Sequence, residues 1–266
     1  MPRARRTRKT QAADSKPARR SGFLTKAEVA RPLASLVFLS PLLAFYAVGL
    51  IWVRPDLAAR ADILLRQALE WLGVTGALAP TWLVVAILLL WHLVRRDPWR
   101  VSWGVLAEMA TETALLAVPL FVIYALFQAG AGGALALGPA AMQPAVADPP
   151  PAWLDIAMTS IGAGVYEELL FRLLMVGGPI FILRHVLKDQ SFGGIVAVVF
   201  MVAAIFAGAH HLDNPAGFAW PLFLYRAAAG VYLGFIFVYR GFGIATGVHI
   251  AFNLIVKAAP LWGWGV

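Results

Sequence analysis

Long uninterrupted runs of apolar residues constrain this sequence more than any other feature. The first run, Leu33 to Val53, has no charged side chain and supplies the roughly 20 residues that a helix needs to cross a bilayer core about 30 Å thick. Similar runs follow at 81–94, 105–127, 193–211, 220–239 and 244–262. Only 14% of the residues are charged, whereas a soluble domain has about a quarter. The sequence predicts an all-α fold, a polytopic transmembrane helical bundle of about seven spans, with six to eight compatible with the runs.

The composition divides the chain into four predicted regions. These are a basic arm at 1–32, an N-terminal three-span region at 33–128 with an interfacial helix at 54–72, a connector rich in Pro, Gly and Ala at 129–152, and a membrane core at 153–266. The core holds most of the unusual polar residues. Its first segment, 153–188, is too long for one straight span, so we expect breaks at 162–164 and 177–179 and a span that begins near Val165.

The basic charge is confined to one end of the sequence. Residues 1–32 contain ten Lys and Arg against two acidic residues, which accounts for the whole net charge of +8. A basic arm next to an apolar run is typical of a membrane-surface tether, and no nucleic-acid partner is expected. The Lys and Arg of the short loops predict a cytoplasmic N-terminus in the inner (plasma) membrane. The absence of cysteine excludes disulfides, thiolate metal sites and a Cys nucleophile.

Charged and polar residues within the apolar runs are costly, at about 2.5–3.5 kcal/mol each near the middle of a span, and therefore point to function. They form three groups on three predicted spans: Glu167, Glu168 and Arg172; Phe206 and His210; His249 and Asn253. Three pairs of these residues are spaced four positions apart, so the two members of each pair share a helix face. The pairs are Glu168 with Arg172, Phe206 with His210, and His249 with Asn253. A carboxylate, two imidazoles and a carboxamide in one cavity would activate water and stabilise an oxyanion.

These ordered motifs, Glu-Glu-x-x-x-Arg, Phe-x-x-x-His and His-x-x-x-Asn, resemble the CPBP (Abi) family of intramembrane proteases, which includes the CaaX prenyl endopeptidases. The resemblance covers roughly residues 150–262. It implies an intramembrane glutamic endopeptidase that hydrolyses a peptide bond of a membrane-associated or exported protein without a cofactor. The implied partners are membrane lipids and a peptide or protein substrate. The substrate would be either lipid-modified or membrane-anchored.

The resemblance also implies a role for each matched residue. Glu167 would activate the attacking water and His210 would help to hold it. His249 and Asn253 would stabilise the oxyanion. Supporting roles fall to Glu168, Arg172 and Phe206. For Glu168 and Arg172, the favoured interpretation is that they form only a helix-stabilising buried ion pair.

Other interpretations of the same residues stay open. Glu167, His210 and His249 would also make a three-ligand zinc site with an open position, as in a zinc-dependent intramembrane protease. Intramembrane Glu, His and Arg are typical of proton-coupled transporters as well, and a non-catalytic assembly or immunity protein could keep the same fold. His211 is expected to point away from the site, and Arg226 has no partner assignable from sequence.

Overall fold

The computed structural model of the chain describes residues 26–130, 153–189, 191–212 and 217–262. Residues 1–25 of the predicted arm and 131–152 of the predicted connector lie outside the described residues. Within the described part, the fold is entirely helical and contains no strand, which confirms the predicted fold class. Ten α-helices are described: α1 Lys26–Val29, α2 Pro32–Val48, α3 Arg60–Trp71, α4 Ala79–Arg95, α5 Trp103–Gly130, α6 Trp153–Glu167, α7 Gly177–His185, α8 Phe192–Ala209, α9 Trp220–Arg240 and α10 Phe242–Ala258.

The helices begin where local sequence signals favour a start. Pro32, Pro80 and Pro221 lie in the first turns of α2, α4 and α9, where the missing N–H of proline costs no hydrogen bond. Ser191 caps α8 by accepting a hydrogen bond at its hydroxyl from the Gly194 amide at 3.1 Å. Proline and serine residues between the apolar runs therefore determine where these helices begin.

Four described helical segments are long and apolar enough to cross a membrane: Pro32–Val53, Trp103–Ala129, Phe192–Ala209 and Trp220–Arg240. The segment Pro32–Val53 is α2 continued by a π-helical turn over Gly49–Val53. Two shorter apolar helices, α4 and α10, pack among them. The chain is thus a helical membrane protein. Helix α3 lies within 54–72, where the sequence predicts an interfacial helix, and its location at the interface stays a prediction.

Contacts between helix ends show which ends share a surface. Arg54 Nη1 lies 2.6 Å from Asp155 Oδ1, and Lys257 Nζ donates to Thr159 Oγ1 at 3.1 Å. The start of α6 therefore lies beside the ends of the α2 segment and of α10. The helix ends therefore form two surfaces, one at each end of the bundle. The arm surface, at the end where α1 lies, is formed by 26–31, 95–103, 174–189 and 240–242. The opposite surface is formed by 53–79, 153–155, 209–212, 217–220 and 258–262.

The expected break at 162–164 is wrong. Helix α6 runs without interruption from Trp153 to Glu167 and continues as a π-helix over Glu168–Leu174, so the span does not begin near Val165. The second break is present, because the helix stops before α7 starts at Gly177. A Cβ on Gly162 would lie 2.6 Å from Cε2 of Tyr46. The small residues allow close helix approach rather than breaking the helix.

An ion-pair cluster near the arm surface joins α5 to α9. The Arg240 guanidinium contacts Glu112 through two nitrogens, one of them Nε at 2.6 Å from Oε2. Its Nη2 also lies 3.9 Å from Glu108 Oε1. The two glutamates thereby help to hold α5 and α9 together.

Candidate active site

Glu167 is the last α-helical residue of α6, directly before the π-helical turn. A π-turn changes the direction of the following side chains, and such turns are frequent at functional sites. The turn leaves Glu167 and Glu168 in different surroundings. The Glu167 side chain is 16% exposed and lines a cavity, whereas the Glu168 side chain is fully buried.

Two imidazoles approach the same oxygen of Glu167. His210 Nε2 lies 3.7 Å from Glu167 Oε2, and His249 Nε2 lies 3.8 Å from it. His210 is the residue directly after α8, and His249 lies within α10. Three helices therefore bring the three sequence-predicted residues to one point. The separations exceed a direct hydrogen bond, and a water beside the three atoms would be within reach of each.

The second nitrogen of each imidazole has a defined partner. His210 Nδ1 lies 2.9 Å from the carbonyl oxygen of Phe206, and His249 Nδ1 lies 2.8 Å from Glu168 Oε1. Because a carbonyl and a carboxylate only accept, each Nδ1 carries the hydrogen and donates it. In the neutral imidazoles, both Nε2 atoms then present a lone pair towards Glu167.

Behind His249, a buried ion pair supports the site. Arg172 Nη1 lies 3.0 Å from Glu168 Oε1, the same oxygen that accepts from His249. The Arg172 guanidinium carbon also lies 4.6 Å from the ring centroid of Phe206, and the Phe206 ring meets His210 edge-on at 4.5 Å. Arg172 and Phe206 thereby connect the ion pair to both imidazoles.

The cavity beside Glu167 has a volume of about 110 Å³. Asn253 lines it one helical turn after His249, and among the described residues its carboxamide has no hydrogen-bond partner. The rest of the wall is mainly apolar, formed by Leu120, Tyr124, Ala163, Phe206, Leu222, Tyr225, Ala229, Leu233, Phe252 and Val256. The cavity thus combines a water-excluding wall with a small set of convergent polar groups.

Two cations also line the cavity, and sequence reasoning gave neither of them a role there. Arg226 donates from Nη1 to the carbonyl oxygen of His210 at 3.1 Å, and Lys257 lies one turn beyond Asn253 on α10. The spacing of Lys257, four residues after Asn253, was the signal that could have found it. Arg226 had no such signal, since its place depends on how α9 packs.

His211 does not join the site. Its Nδ1 lies 2.9 Å from the carbonyl oxygen of Ala207 and its Nε2 lies 3.3 Å from that of Ala219. The expectation that it points away from the cavity agrees with these contacts. His210 and His211 therefore form a natural matched pair for mutagenesis.

The fold and the site together define a helical membrane protein with a partly buried acid and two imidazoles at a largely apolar cavity. Residues 149–255 match the family model described as type II CAAX prenyl endopeptidase Rce1-like. The chain therefore carries an Rce1-like region, which confirms the resemblance expected from the three motifs and supports a membrane-embedded peptidase acting on a protein substrate. No curated protein and no solved structure matches the chain.

Proposed function

We propose that this protein is an intramembrane endopeptidase in which Glu167 activates a water molecule. The observation that carries the proposal is the convergence of His210 Nε2 and His249 Nε2 on Glu167 Oε2, at 3.7 and 3.8 Å. In the proposal, Glu167 Oε2 and Nε2 of a neutral His210 accept hydrogen bonds, whereas His249 acts as the imidazolium and donates from Nε2. A water bound there donates one hydrogen to Glu167 and the other to an imidazole, and its lone pair is free for attack.

The proposed reaction proceeds by addition and elimination. Glu167 accepts a proton as the water oxygen bonds to the scissile carbonyl carbon, and the carbonyl oxygen becomes the oxyanion. The C–N bond then breaks, and the proton held by Glu167 passes to the leaving amine. The products are one new carboxyl terminus and one new amino terminus.

His249 and Asn253 are the proposed donors to the oxyanion. The Asn253 carboxamide lines the cavity, and its N–H donors have no acceptor in the part of the chain that the structure describes. His249 donates through Nε2 only as the imidazolium, because its Nδ1 hydrogen is already used. Glu168 beside Nδ1 stabilises this cation in the way that a buried carboxylate supports a catalytic imidazole. Glu168 is therefore a positioning residue in the proposal.

Zinc does not enter this proposal. Activation of water by the Glu167 carboxylate requires no metal ion, and experiment separates it from the alternative in which Glu167, His210 and His249 bind zinc. We expect cleavage to persist in 1,10-phenanthroline and the purified protein to contain no stoichiometric zinc by elemental analysis. Loss of cleavage that zinc restores would instead favour the metalloprotease alternative.

The proposed location is the inner membrane with the N-terminus cytoplasmic. The cavity is lined by the end of α8, the first half of α9 and the second half of α10, so it lies towards the opposite surface. With that orientation, the cavity opens away from the cytoplasm. The proposed substrate is therefore an exported or membrane-anchored protein rather than a prenylated cytosolic one.

Comparative proteomics of membrane-protein termini tests the proposal directly. Cells that express the native protein are compared with cells that express Glu167→Ala, Glu167→Gln or His210→Ala at equal membrane levels. We expect a specific set of new termini in the native cells that all three variants lack. His211→Ala is the matched control and should keep the set, because His211 lies outside the cavity. Retained cleavage in Glu167→Gln would contradict the mechanism.

A further inference from the structure

The residue that precedes Glu167 in the sequence, Tyr166, contacts a different part of the bundle. Its side chain is buried, and its hydroxyl lies 2.7 Å from Oγ1 of Thr81 in the first turn of α4. Its ring packs against the ring of Tyr46 on α2, with 5.5 Å between the centroids. Because adjacent side chains of a helix point about 100° apart, α6 presents Glu167 to the cavity and Tyr166 to the N-terminal helices.

The Tyr46 side chain is itself held by a buried polar cluster. Its hydroxyl donates to Asp62 Oδ2 at 2.8 Å and accepts from the Ala59 amide at 3.1 Å. Arg66 Nη2 lies 3.3 Å from the same oxygen of Asp62, which is fully buried. Such a cluster fixes one arrangement, since breaking it leaves a costly unpaired polar group. Tyr46 is therefore a rigid surface for Tyr166 to pack against.

The face of α6 that carries Tyr166 is shaped to fit this surface. Gly162 lies four residues before Tyr166 and shares its face. A Cβ on Gly162 would lie 2.6 Å from Cε2 of Tyr46, so the helix backbone itself approaches the ring. The close fit and the hydrogen bond to Thr81 together restrict rotation of α6 about its own axis. Both anchors, Tyr46 and Thr81, lie outside the residues 149–255 that match the family model.

We propose that Tyr166 is a positioning residue, which holds α6 at the rotation that directs Glu167 into the cavity. Its two anchors are the Thr81 hydroxyl and the Tyr46 ring. This inference rests on the proposed function and gives the N-terminal helices α2, α3 and α4 a part in it. A rotation that moves the carboxylate by about 1 Å is enough to slow a reaction by roughly 100-fold.

The test compares variants that keep or lose one hydroxyl. Thr81→Ser keeps the partner of Tyr166, whereas Thr81→Val and Tyr166→Phe remove the hydrogen bond. We expect the latter two each to lower kcat about 10- to 100-fold with KM little changed, because the cavity lining stays the same. Thr81→Ser should retain most of the activity. The double variant should be no slower than the slower single variant, since both changes remove the same bond, and additive losses would overturn the inference.

Tyr232→Phe is the matched control for an effect on stability alone. The Tyr232 hydroxyl donates to the carbonyl oxygen of Leu116 at 2.8 Å and joins α9 to α5, and neither residue lines the cavity. We expect Tyr166→Phe and Tyr232→Phe to lower the unfolding temperature in detergent by a similar amount, about 2–4 °C for one hydrogen bond. Only Tyr166→Phe should lower kcat per folded molecule. Equal losses of kcat in the two variants would mean that Tyr166 acts through stability and would overturn its positioning role.

A labelling measurement that needs no cleavage separates this inference from the proposed function. The native chain has no cysteine, so the rate at which Glu167→Cys reacts with a small neutral methanethiosulfonate reports how much of the time position 167 faces the cavity. Adding Thr81→Val should slow the reaction, whereas adding Thr81→Ser should not. This pattern in a protein that cleaves no peptide would contradict the peptidase and support the positioning role. Equal labelling rates with Thr81→Val and Thr81→Ser would overturn the positioning role, whatever the cleavage result.

Discussion

Glu168 Oε1 accepts from His249 Nδ1 at 2.8 Å and lies 3.0 Å from Arg172 Nη1. One oxygen of a fully buried carboxylate thus serves both a cation of its own helix and an imidazole of another. The neighbouring carboxylate, Glu167, faces the cavity instead. The two adjacent glutamates therefore point in different directions from the helix, so that only Glu167 reaches the cavity while Glu168 contacts Arg172 and His249.

Replacing Glu168 with Gln should separate activity from stability. The neutral amide no longer supports an imidazolium at His249, so we expect kcat to fall by about 100-fold or more, with KM little changed. The same change leaves the buried Arg172 without its counter-charge, at a cost of about 3–5 kcal/mol in the free energy of unfolding. Steady-state kinetics and thermal unfolding in detergent measure the two effects.

The double variant Glu168→Gln/Arg172→Gln is the control for this prediction. It removes both charges of the pair, so most of the lost stability should return while kcat stays low. Recovery of activity together with stability would mean that Glu168 acts only through the folding of the π-helical turn. That outcome would contradict its role as a positioning residue for His249.

Gly164 sets how closely α6 approaches α10. A Cβ at this position would collide with Cγ1 of Ile250, the residue next to His249. We expect Gly164→Ala to push the two helices apart and to lower kcat about 10- to 100-fold, because misplacing a catalytic group by about 1 Å has effects of this size. The measurement is the rate at which the purified protein cleaves a pool of short synthetic peptides.

Ile250→Ala should partly rescue Gly164→Ala, since it removes the atom that the new Cβ meets. Gly178→Ala is the matched control, because a Cβ there has nothing within 4 Å. If Gly164→Ala and Gly178→Ala behaved alike, the close approach of α6 to α10 would not be what places His249.

The sequence predicts part of this site for a clear physical reason. Polar residues in apolar runs are rare, and spacing by four residues puts Phe206 with His210 and His249 with Asn253 on shared faces. The structure brings Glu167, His210 and His249 together, as their spacing on separate spans suggested. Their chemical roles remain predictions.

Other features of the site depend on tertiary packing and could not be predicted from the sequence. The Glu168–His249 contact depends on the π-helical turn and on the depth of α10, which no local pattern specifies. Gly162 and Gly164 suggested a break because glycine weakens isolated helices. In the bundle these two glycines instead provide space for Tyr46 and Ile250.

Arg240 should contribute to stability rather than to catalysis. Its guanidinium joins Glu112 of α5 at two points and lies near Glu108, far along the helices from the cavity lining. Arg240→Gln leaves two carboxylates close together with little solvent, so we expect a loss of about 2–3 kcal/mol in the free energy of unfolding. Kcat per folded molecule should be unchanged. Adding Glu112→Gln should restore part of the stability, and a strictly additive double variant would refute the coupling.

The orientation of the bundle decides which proteins can reach the cavity. The native chain has no cysteine, so single cysteines can be placed at Leu212 on the opposite surface and at Arg184 on the arm surface, both exposed. With a cytoplasmic N-terminus, a membrane-impermeant maleimide added to intact cells should label Leu212→Cys and spare Arg184→Cys until the cells are opened. The loop charges favour this outcome, because most of the Lys and Arg at the helix ends lie on the arm surface and cytoplasmic loops are enriched in these residues. The reverse pattern would place the cavity on the cytoplasmic side, and the expected substrates would then be cytosolic proteins anchored by lipid.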